Sequence, residues 1–312
     1  MIYTVTPNPS IDYYMYFRGA EAAMGKINRS AYEQFCPGGK GVNVSLVLSR
    51  LGTPSCALGF VGGESGKMFL NLLESEGISS GFVSLPQGDT RINVKVYDGR
   101  ETAFNACGPE LDERSVRELI NRVETALVPG DILVLNGNVH KNSKELYVSL
   151  AEIADRAGAL LAADTEKEVL LQVIEKKPFL IKPNLQELAD CFGLQTVDEN
   201  TAVGLARRLQ EKGAQNILLS MGDEGALYFD RSGEILKVFS RRRGEAVSTV
   251  GAGDSMLAGF LHGFSRGLEI CGTLRCAAAA GTACAFSPLL PSKEDMEELM
   301  PEIEIIGYRQ SE

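Results

Sequence analysis

The stretch Ile132-Leu133-Val134-Leu135-Asn136-Gly137-Asn138 decides the fold class of this chain. Four consecutive apolar residues end abruptly in three polar or flexible ones, which is typical of a short strand buried on both faces. Helical patterns flank the strand over residues 113–127 and 143–157. Apolar strands that alternate with amphipathic helices predict an α/β fold, in which helices cover both faces of a parallel sheet.

The same alternation extends in both directions along the chain. Toward the C-terminus, strands are predicted over 159–163 and 179–181, with a helix over 166–176 between them. Toward the N-terminus, strands are predicted at 2–6 and 57–61 and a helix at 67–75. Two further segments, 226–230 and 234–239, are predicted as antiparallel edge strands, and Cys276–Phe286 as a helix whose small residues serve tight packing.

A second group of strands does not fit this alternation. Residues 90–96 alternate with period two, so that Arg91, Asn93 and Lys95 share one face of the strand. Residues 101–107 are a plausible hairpin partner, and the region 13–36 is also β-prone. We therefore predict a small separate sheet. Its polar face is either solvated or forms the floor of an anion site.

Composition limits the class of function. The chain has 312 residues, a net charge of −10, 44% hydrophobic and 23% charged residues. An acidic protein of this kind is not expected to bind nucleic acid. Seven cysteines without a Cys-x-x-Cys pair, and only two histidines, indicate free thiols in a reducing cytoplasm and no zinc site. No signal peptide and no membrane span of about 18 apolar residues are expected.

Polar clusters follow several of the predicted strands. Parallel sheets bind ligands at the carboxyl ends of their strands, so these clusters are expected to lie on one edge. They are Asn136–Asn138, Asp164-Thr165, Lys182-Pro183-Asn184 with Glu187, and Ser220–Asp223. Asn184 and Glu187 could form a helix capping box, could reach a hydrated magnesium ion, or could do both.

Two glycine loops precede predicted helices. In Val250-Gly251-Ala252-Gly253-Asp254-Ser255, backbone N–H groups at a helix N-terminus predict an anion site, usually for phosphate. Asp254 is either the helix N-cap or a general base, and this stretch alone does not decide between them. Cys36–Asn43 is either a second oxyanion loop or a flexible turn. It lacks Walker A spacing, and 62–68 is interpreted as an ordinary turn.

Taken together, these motifs resemble the ribokinase-like, PfkB-type carbohydrate kinases. The resemblance is carried by five motifs in order, namely Thr6–Asp12, Gly38–Asn43, Lys182–Asn184 with Glu187, Ser220–Gly222 with Gly225-Ala226, and Val247–Ser255. It implies a three-layer αβα sandwich with a mainly parallel central sheet and a small β-sheet lid. A single kinase domain over 1–312 would then carry a lid inserted from about 10–36 and 88–107.

The resemblance also implies the site. ATP with Mg²⁺ would be the donor, Asp254 the catalytic base, and Gly251, Ala252 and Gly253 the anion hole. The sugar phosphate would be held by Asp12, Gly38, Gly39, Lys40, Asn43, Arg91, Asn93, Lys95 and Asn138. The nucleotide would be held by Lys182, Asn184, Ser220, Gly222, Gly225, Thr249, Gly251 and Gly253. Asn184 and Glu187 would reach the metal through water.

Within the family, residues 90–95 are similar to the 1-phosphofructokinase branch. This implies transfer of the ATP γ-phosphoryl group to the 6-hydroxyl of D-fructose 1-phosphate. Lys40, Arg91 and Lys95 are expected to form one cluster for the existing phosphate, and Asp254 to keep an ordinary carboxylate pKa of about 4.

Two other functions stay open: a kinase for tagatose 6-phosphate or another ketose phosphate, and a non-catalytic sugar-phosphate sensor. Residues 136–140 depart from the Ser-Gly-Ser-Leu-Pro that relatives usually carry beside the sugar site, which bears on substrate identity. A homodimer through the lid is a further expectation.

Overall fold

The structure is a computed structural model that describes residues 1–17, 22–99, 101–137 and 145–308. Its strands are β1 (Ile2–Thr6), β2 (Ser10–Tyr16), β3 (Tyr32–Gly38), β4 (Ser55–Val61), β5 (Ser79–Ser80), β6 (Val83–Ser84), β7 (Arg91–Tyr97), β8 (Glu101–Phe104), β9 (Ile132–Asn136), β10 (Leu160–Asp164), β11 (Leu180–Ile181), β12 (Asn216–Ser220), β13 (Ala226–Phe229), β14 (Ile235–Ser240) and β15 (Ile303–Gly307).

The helices of the described residues are α1 (Lys40–Arg50), α2 (Gly63–Ser75), α3 (Glu113–Ala126), α4 (Glu145–Ala157), α5 (Lys167–Ile174), α6 (Leu185–Cys191), α7 (Glu199–Lys212), α8 (Ala252–Ser265), α9 (Ile270–Ala285) and α10 (Lys293–Leu299). No helix in this part of the chain combines the length and apolar character needed to cross a bilayer.

The large sheet has the strand order β15-β14-β13-β12-β11-β10-β9-β1-β4-β5, and β6 also pairs with β4. Pairing is parallel from β12 through to β5 and antiparallel from β12 to β15. The prediction that 226–230 and 234–239 form antiparallel strands is confirmed, but neither lies at the edge, because β13 pairs with β12 and β14, and β15 pairs along the outer side of β14. Only short apolar runs mark β15 in the sequence, so its strand character depends on this pairing.

Alternate residues of β9 serve the two faces of the large sheet. Leu133 and Leu135 pack with helices α3 to α7, whereas Ile132 and Val134 pack with α1, α8 and α9. All four side chains are buried. The continuous apolar run is therefore explained by two separate cores, and the predicted three-layer αβα sandwich is confirmed.

Helices α8 and α9 pack closely because glycines, which lack a side chain, stand at two points of their contact. A Cβ atom on Gly259 would lie 2.3 Å from the backbone oxygen of Cys276, and one on Gly263 would lie 2.8 Å from Thr273 Cα. The small residues of α9 thus serve helix packing, as predicted, and α9 begins six residues earlier than expected.

The smaller sheet has the order β3-β2-β7-β8, with β2 and β7 parallel. Its register sets Asp12 beside Asn93 and Tyr14 beside Lys95. Residues that pair side by side point to the same face, so the polar residues of both strands meet on one face of the lid.

Candidate active site

The N-terminus of α8 presents free backbone donors. The helix begins after Gly251, whose φ of 82° is a left-handed conformation that glycine adopts without strain. Among the described residues, the N–H groups of Gly251, Gly253 and Asp254 donate to no acceptor, whereas Ala252 donates to Thr249 O over 3.3 Å. Three free donors at the positive end of a helix form a suitable site for an anion.

Asp254 lies in the first turn of α8 but does not cap it. The helix has no side-chain cap, and Asp254 Oδ2 instead accepts a hydrogen bond of 2.8 Å from Asn43 Nδ2. Its other oxygen, Oδ1, accepts no hydrogen bond from the described residues. With only 6% of its surface exposed, Asp254 is a buried carboxylate with one free acceptor atom.

The environment of Asp254 makes it a stronger base than an ordinary aspartate. Burial and the negative charge of Asp164 raise the pKa of Asp254 to about 6, against the lowering effects of the Asn43 hydrogen bond and of Lys40 and Lys182. The expectation of an ordinary pKa of about 4 is therefore wrong. Sequence patterns did not reveal how deeply this carboxylate is buried.

Two lysines share one buried carboxylate beside this helix end. Lys40 Nζ lies 3.1 Å from Asp164 Oδ1, and Lys182 Nζ lies 3.3 Å from Asp164 Oδ2. Burial opposes ionisation of Asp164, but the two ammonium groups outweigh it and lower its pKa. For Lys40, burial lowers the pKa, and the charges of Asp164, Glu187 and Asp254 together raise it. The pKa values of Lys40 and Asp164 thus move in the directions that favour the ion pair between them.

The ammonium group of Lys182 lies beside Gly253 in the first turn of α8. A Cβ atom on Gly253 would be 3.0 Å from Lys182 Nζ, so glycine at this position leaves room for the ammonium group. The lysine side chain is 4% exposed. The structure thus brings together Lys182, predicted on the nucleotide side, and the Gly251–Gly253 anion hole.

The capping-box interpretation of Asn184 and Glu187 is confirmed. Asn184 Oδ1 accepts from the Glu187 N–H at 2.8 Å, and Glu187 Oε2 accepts from the Asn184 N–H at 2.9 Å. Glu187 Oε1 also lies 3.5 Å from Lys40 Nζ. Asn184 forms an isolated β-bridge with Ser220, so two predicted nucleotide residues are neighbours at the strand ends.

The two glycines in the turn between β12 and β13 have different surroundings. Gly225 has a φ of 89°, and a Cβ atom there would lie 2.2 Å from Val238 O. Gly222 has a φ of 64° with open space around its Cα. Gly225 is therefore required by the fold itself, while Gly222 leaves room for a ligand to approach the backbone.

On the lid, Asp12 is surrounded by donors. Ser10 Oγ and Asn93 Nδ2 donate to Asp12 Oδ1 at 2.8 and 2.9 Å, and Lys95 Nζ lies 2.9 Å from Asp12 Oδ2. Lys95 also donates to the Tyr14 hydroxyl at 3.1 Å. Burial lowers the pKa of Lys95, but Asp12 and Tyr14 outweigh this effect and raise it.

Arg91 is occupied by backbone carbonyls rather than by carboxylates. Its Nη2 donates to Asn8 O at 3.0 Å and its Nη1 to Ala106 O at 3.3 Å. Its Nε is buried and has no partner among the described residues. Burial lowers the pKa of Arg91, which still leaves a guanidinium charged at neutral pH.

Lys40, Arg91 and Lys95, which are expected to form one cluster for the existing phosphate, have separate partners in this structure. Lys40 pairs with Asp164 and Glu187, Lys95 with Asp12, and Arg91 with backbone oxygens. Asn138, predicted to bind the sugar, lies outside the described residues.

A cavity connects the lid to the core. Asp12, Tyr14 and Lys95 line it from the lid, and Asn43 and Gly251 line it from the core. Gly38 and Gly39 join the two parts, and each lies against a neighbour with no space for a side chain. The cavity therefore reaches from the donors around Asp12 to the N-terminus of α8, where Asp254 lies.

Comparison with known proteins identifies the family. The profile of the pfkB family carbohydrate kinases matches residues 5–290. The chain belongs to this family. It is 39% identical to a 1-phosphofructokinase of Bacillus subtilis over 98% of this chain and 99% of that one. It is also 36% identical to a D-tagatose-1-phosphate kinase of Bacillus licheniformis over 98% and 99% of the two chains.

Solved structures of kinases superpose on this structure over almost the whole chain. Phosphofructokinase-2 of Escherichia coli in complex with substrates and products superposes with a TM-score of 0.89 at 27% identity, covering 96% of this chain and 98% of that chain. Arabidopsis thaliana ribokinase complexed with ribose and ATP superposes with a TM-score of 0.75 at 19% identity, covering 96% and 98%, which shows the fold alone. The predicted ribokinase-like fold and the resemblance to PfkB kinases are confirmed, and the chain is an ATP-dependent sugar-phosphate kinase.

Asp164 was not assigned a role from the sequence. It was noted only as part of a polar pair that follows a predicted strand. The signal that could have identified it is an ionisable residue at the end of an apolar run, one strand away from Asn136. Its two lysine partners come from positions 40 and 182, which no local pattern connects.

Proposed function

We propose that the chain is a 1-phosphofructokinase over a single kinase domain, residues 1–312. It transfers the γ-phosphoryl group of ATP to the 6-hydroxyl of D-fructose 1-phosphate and forms fructose 1,6-bisphosphate. One observation carries the proposal: the buried carboxylate of Asp254, whose Oδ1 has no partner among the described residues, is held by Asn43 in the first turn of α8, and Asn43 and Gly251 line the same cavity as Asp12. This arrangement supports a base that acts on the attacking hydroxyl and an anion hole that holds the phosphoryl group being transferred.

Catalysis in this proposal consists mainly of positioning and charge stabilisation, because phosphoryl transfer has a loose transition state. The oxygen of the sugar 6-hydroxyl attacks the γ-phosphorus, and Asp254 Oδ1 accepts the hydroxyl proton. The bond between the γ-phosphorus and the β,γ-bridging oxygen breaks, and ADP leaves. Asn43 holds the carboxylate through Oδ2. The N–H groups of Gly251 and Gly253 stabilise the transferred group, with Lys182 and Lys40 beside them.

Magnesium is compatible with the oxygen donors on this edge, but only through water. Asn184 Oδ1 and both Glu187 oxygens already take part in the capping box or face Lys40, so neither residue offers a vacant pair of oxygens. Among the described residues, no group of three metal-binding side chains could hold an ion. Mg²⁺ bound with ATP would neutralise charge on the phosphates, and Asn184 and Glu187 are the residues that would hold it through water.

The choice of sugar has two candidates. The full-length similarity to a 1-phosphofructokinase, and the Arg91, Asn93 and Lys95 strand, support fructose 1-phosphate. The tagatose-1-phosphate kinase relative supports a C4 epimer as the second candidate. Both sugars carry the phosphate at one end and a free hydroxyl at the other, so both can offer that hydroxyl to Asp254.

A coupled assay for ADP release tests the proposal. MgATP is supplied with fructose 1-phosphate, tagatose 1-phosphate, tagatose 6-phosphate or fructose 6-phosphate. We expect the highest kcat/KM with fructose 1-phosphate. Faster turnover of a tagatose phosphate would replace the substrate assignment, and tight binding without turnover of any of the four would favour a sensor.

We also propose that two copies pair through the lid. The face opposite Asp12 carries the stacked rings of Tyr13 and Phe35, with Phe35 43% and Phe104 51% exposed. Exposed aromatic residues on a small sheet support a protein contact. Sedimentation velocity is expected to show a dimer that Phe35→Lys converts to a monomer. Dimers that persist in this variant would place the contact elsewhere.

The seven free thiols support a reducing cytoplasmic location. Cys36 and Cys284, which lie near the cavity, are made less reactive by burial, which raises the pKa of each to about 11. Neither thiol has a part in the proposed reaction.

A further inference from the structure

The carboxylate of Asp12 is almost saturated with donors. An ionised carboxylate offers roughly four acceptor positions, two on each oxygen. Ser10 and Asn93 fill both positions of Oδ1, and Lys95 fills one position of Oδ2. No described residue donates to the second position on Oδ2, and the side chain is 13% exposed and lines the cavity.

The orientation of this carboxylate is also fixed by packing. A Cβ atom on Gly38 would lie 2.8 Å from Cγ and from both oxygens of Asp12, so the Gly38 backbone lies against the carboxylate. The strand register sets Asn93 directly beside Asp12. A carboxylate held on one face by backbone and on its edges by three donors cannot turn to follow a ligand.

The contacts of Lys95 favour a role in holding Asp12 over a role in binding a phosphate. Its side chain is 8% exposed, its ammonium group donates to Asp12 and to the Tyr14 hydroxyl, and it lies 4.9 Å from the centre of the Tyr14 ring. Two of the three N–H donors of this ammonium group are therefore directed at lid residues, and one is left for another partner. Arg91 is likewise held by two backbone oxygens.

We infer that Lys95 is a positioning residue that fixes Asp12, and that the one acceptor position left on Asp12 Oδ2 reads the hydroxyl configuration of a ketohexose 1-phosphate. This inference rests on the proposed function and deepens it. Lys95 then contributes to the choice between epimeric sugars through Asp12, and it does not clamp the existing phosphate. A single fixed acceptor discriminates well, because a hydroxyl of the wrong configuration leaves it unpaired.

A double-mutant cycle tests the inference, with Asp12→Asn, Lys95→Met and the double variant. Initial rates are measured with fructose 1-phosphate and tagatose 1-phosphate at saturating MgATP. We expect Lys95→Met to raise KM for fructose 1-phosphate roughly ten- to a hundredfold, the range for a lost hydrogen bond to a charged group. KM for ATP should stay unchanged, and the kcat/KM ratio between the epimers should shrink.

The double variant is expected to lose no more activity than Asp12→Asn alone. It removes both charges of a buried pair, so it avoids leaving one of them unpaired. Losses that multiply, or an unchanged epimer ratio in Lys95→Met, would show that Lys95 contacts the substrate phosphate independently. Lys67→Met, at a side chain that is 73% exposed, is the matched control, and thermal unfolding checks the fold of each variant.

Failure of the inference differs from failure of the proposed function. If the unmodified protein turns over no ketohexose phosphate, the proposed function is wrong. If it turns over fructose 1-phosphate but the cycle is additive, only the assignment of Lys95 is wrong.

Discussion

The two ends of the cavity use lysine and aspartate in opposite ways. At the core end, Lys40 and Lys182 share the carboxylate of Asp164, and N–H groups at the start of α8 have no acceptor in the described part of the chain. At the lid end, one carboxylate, Asp12, receives three donors. The core end therefore has hydrogen-bond donors to spare, which suits a phosphoryl group. The lid end has one fixed acceptor to spare, which suits a hydroxyl.

From this difference we expect the two ends of the cavity to control different kinetic parameters. Groups that contact the transferred phosphoryl group act most strongly in the transition state, so changes there lower kcat. Groups that orient the sugar act in the bound ground state as well, so changes there raise KM. The core end depends on a helix terminus and the strand ends of the family fold. The lid end depends on the register of two strands and can vary with the sugar.

The largest expected effect is at the core end. Asp254→Asn should lower kcat by roughly 10²- to 10⁴-fold, because asparagine cannot accept the proton of the attacking hydroxyl. KM for the sugar phosphate should change little. Steady-state rates of ADP release measure both parameters, and circular dichroism checks the fold. A near-normal kcat would show that Asp254 is not the base.

The matching change at the lid end is Gly38→Ala. Its Cβ atom would lie 2.8 Å from the carboxylate of Asp12 and must displace it. We expect KM for fructose 1-phosphate to rise by about tenfold, with kcat close to normal, since one hydrogen bond to a charged group is weakened. Gly204→Ala on α7 is the control, because no atom lies within 4 Å of its Cβ position. A fall in kcat alone would contradict the division between the two ends.

The pH dependence of catalysis sharpens the role of the core end. Because Asp254 acts only when ionised, and its pKa is raised to about 6, kcat/KM should fall as the pH drops below about 6. The sugar phosphate titrates in the same range, so a variant is needed to assign the change. Asn43→Ala removes a hydrogen bond that lowers the pKa of Asp254, and should move the fall to higher pH. If the pH profile of Asn43→Ala is the same as that of the unmodified protein, the fall in kcat/KM is due to titration of the substrate phosphate.

The smallest expected effect is on stability. The folded pKa of Asp254, about 6, exceeds its usual 3.8, so ionisation is less favourable in the folded protein. This cost is absent below about pH 4, grows between about pH 4 and 6, and is constant above. Asp254→Asn should therefore gain on the order of 1–3 kcal/mol near pH 8 and nothing near pH 4. Urea unfolding at both pH values measures the difference, and an equal gain at both would contradict it.

Much of the fold could be predicted from local pattern. The apolar run 132–135 identified a doubly covered strand, and its two faces pack on the two helix layers. The exception is β15, whose short sequence signal becomes a strand only by pairing with β14. Helix α9 began earlier than predicted, because its first residues carry no strong apolar period.

Less of the site could be predicted. The glycine loops, Asp12 and Asp254 follow from their motifs, since a glycine loop before a helix has one common use. The partners of these residues do not follow, because Asp164 joins lysines that are 124 and 18 positions away in the sequence. The separate partners of Lys40, Arg91 and Lys95 do not follow from the sequence for the same reason.

The sequence by itself therefore determined the layered α/β fold, the two glycine loops and the carboxylates that follow strands and open helices. These features depend on periodicity and on residue type over a few positions. Only the tertiary structure decided that Asp254 is a buried carboxylate bonded to Asn43 rather than a helix cap, that Asp164 pairs with two lysines, and that Lys95 pairs with Asp12. Burial and ion pairing depend on which distant segments meet, and the strand order and register set those meetings.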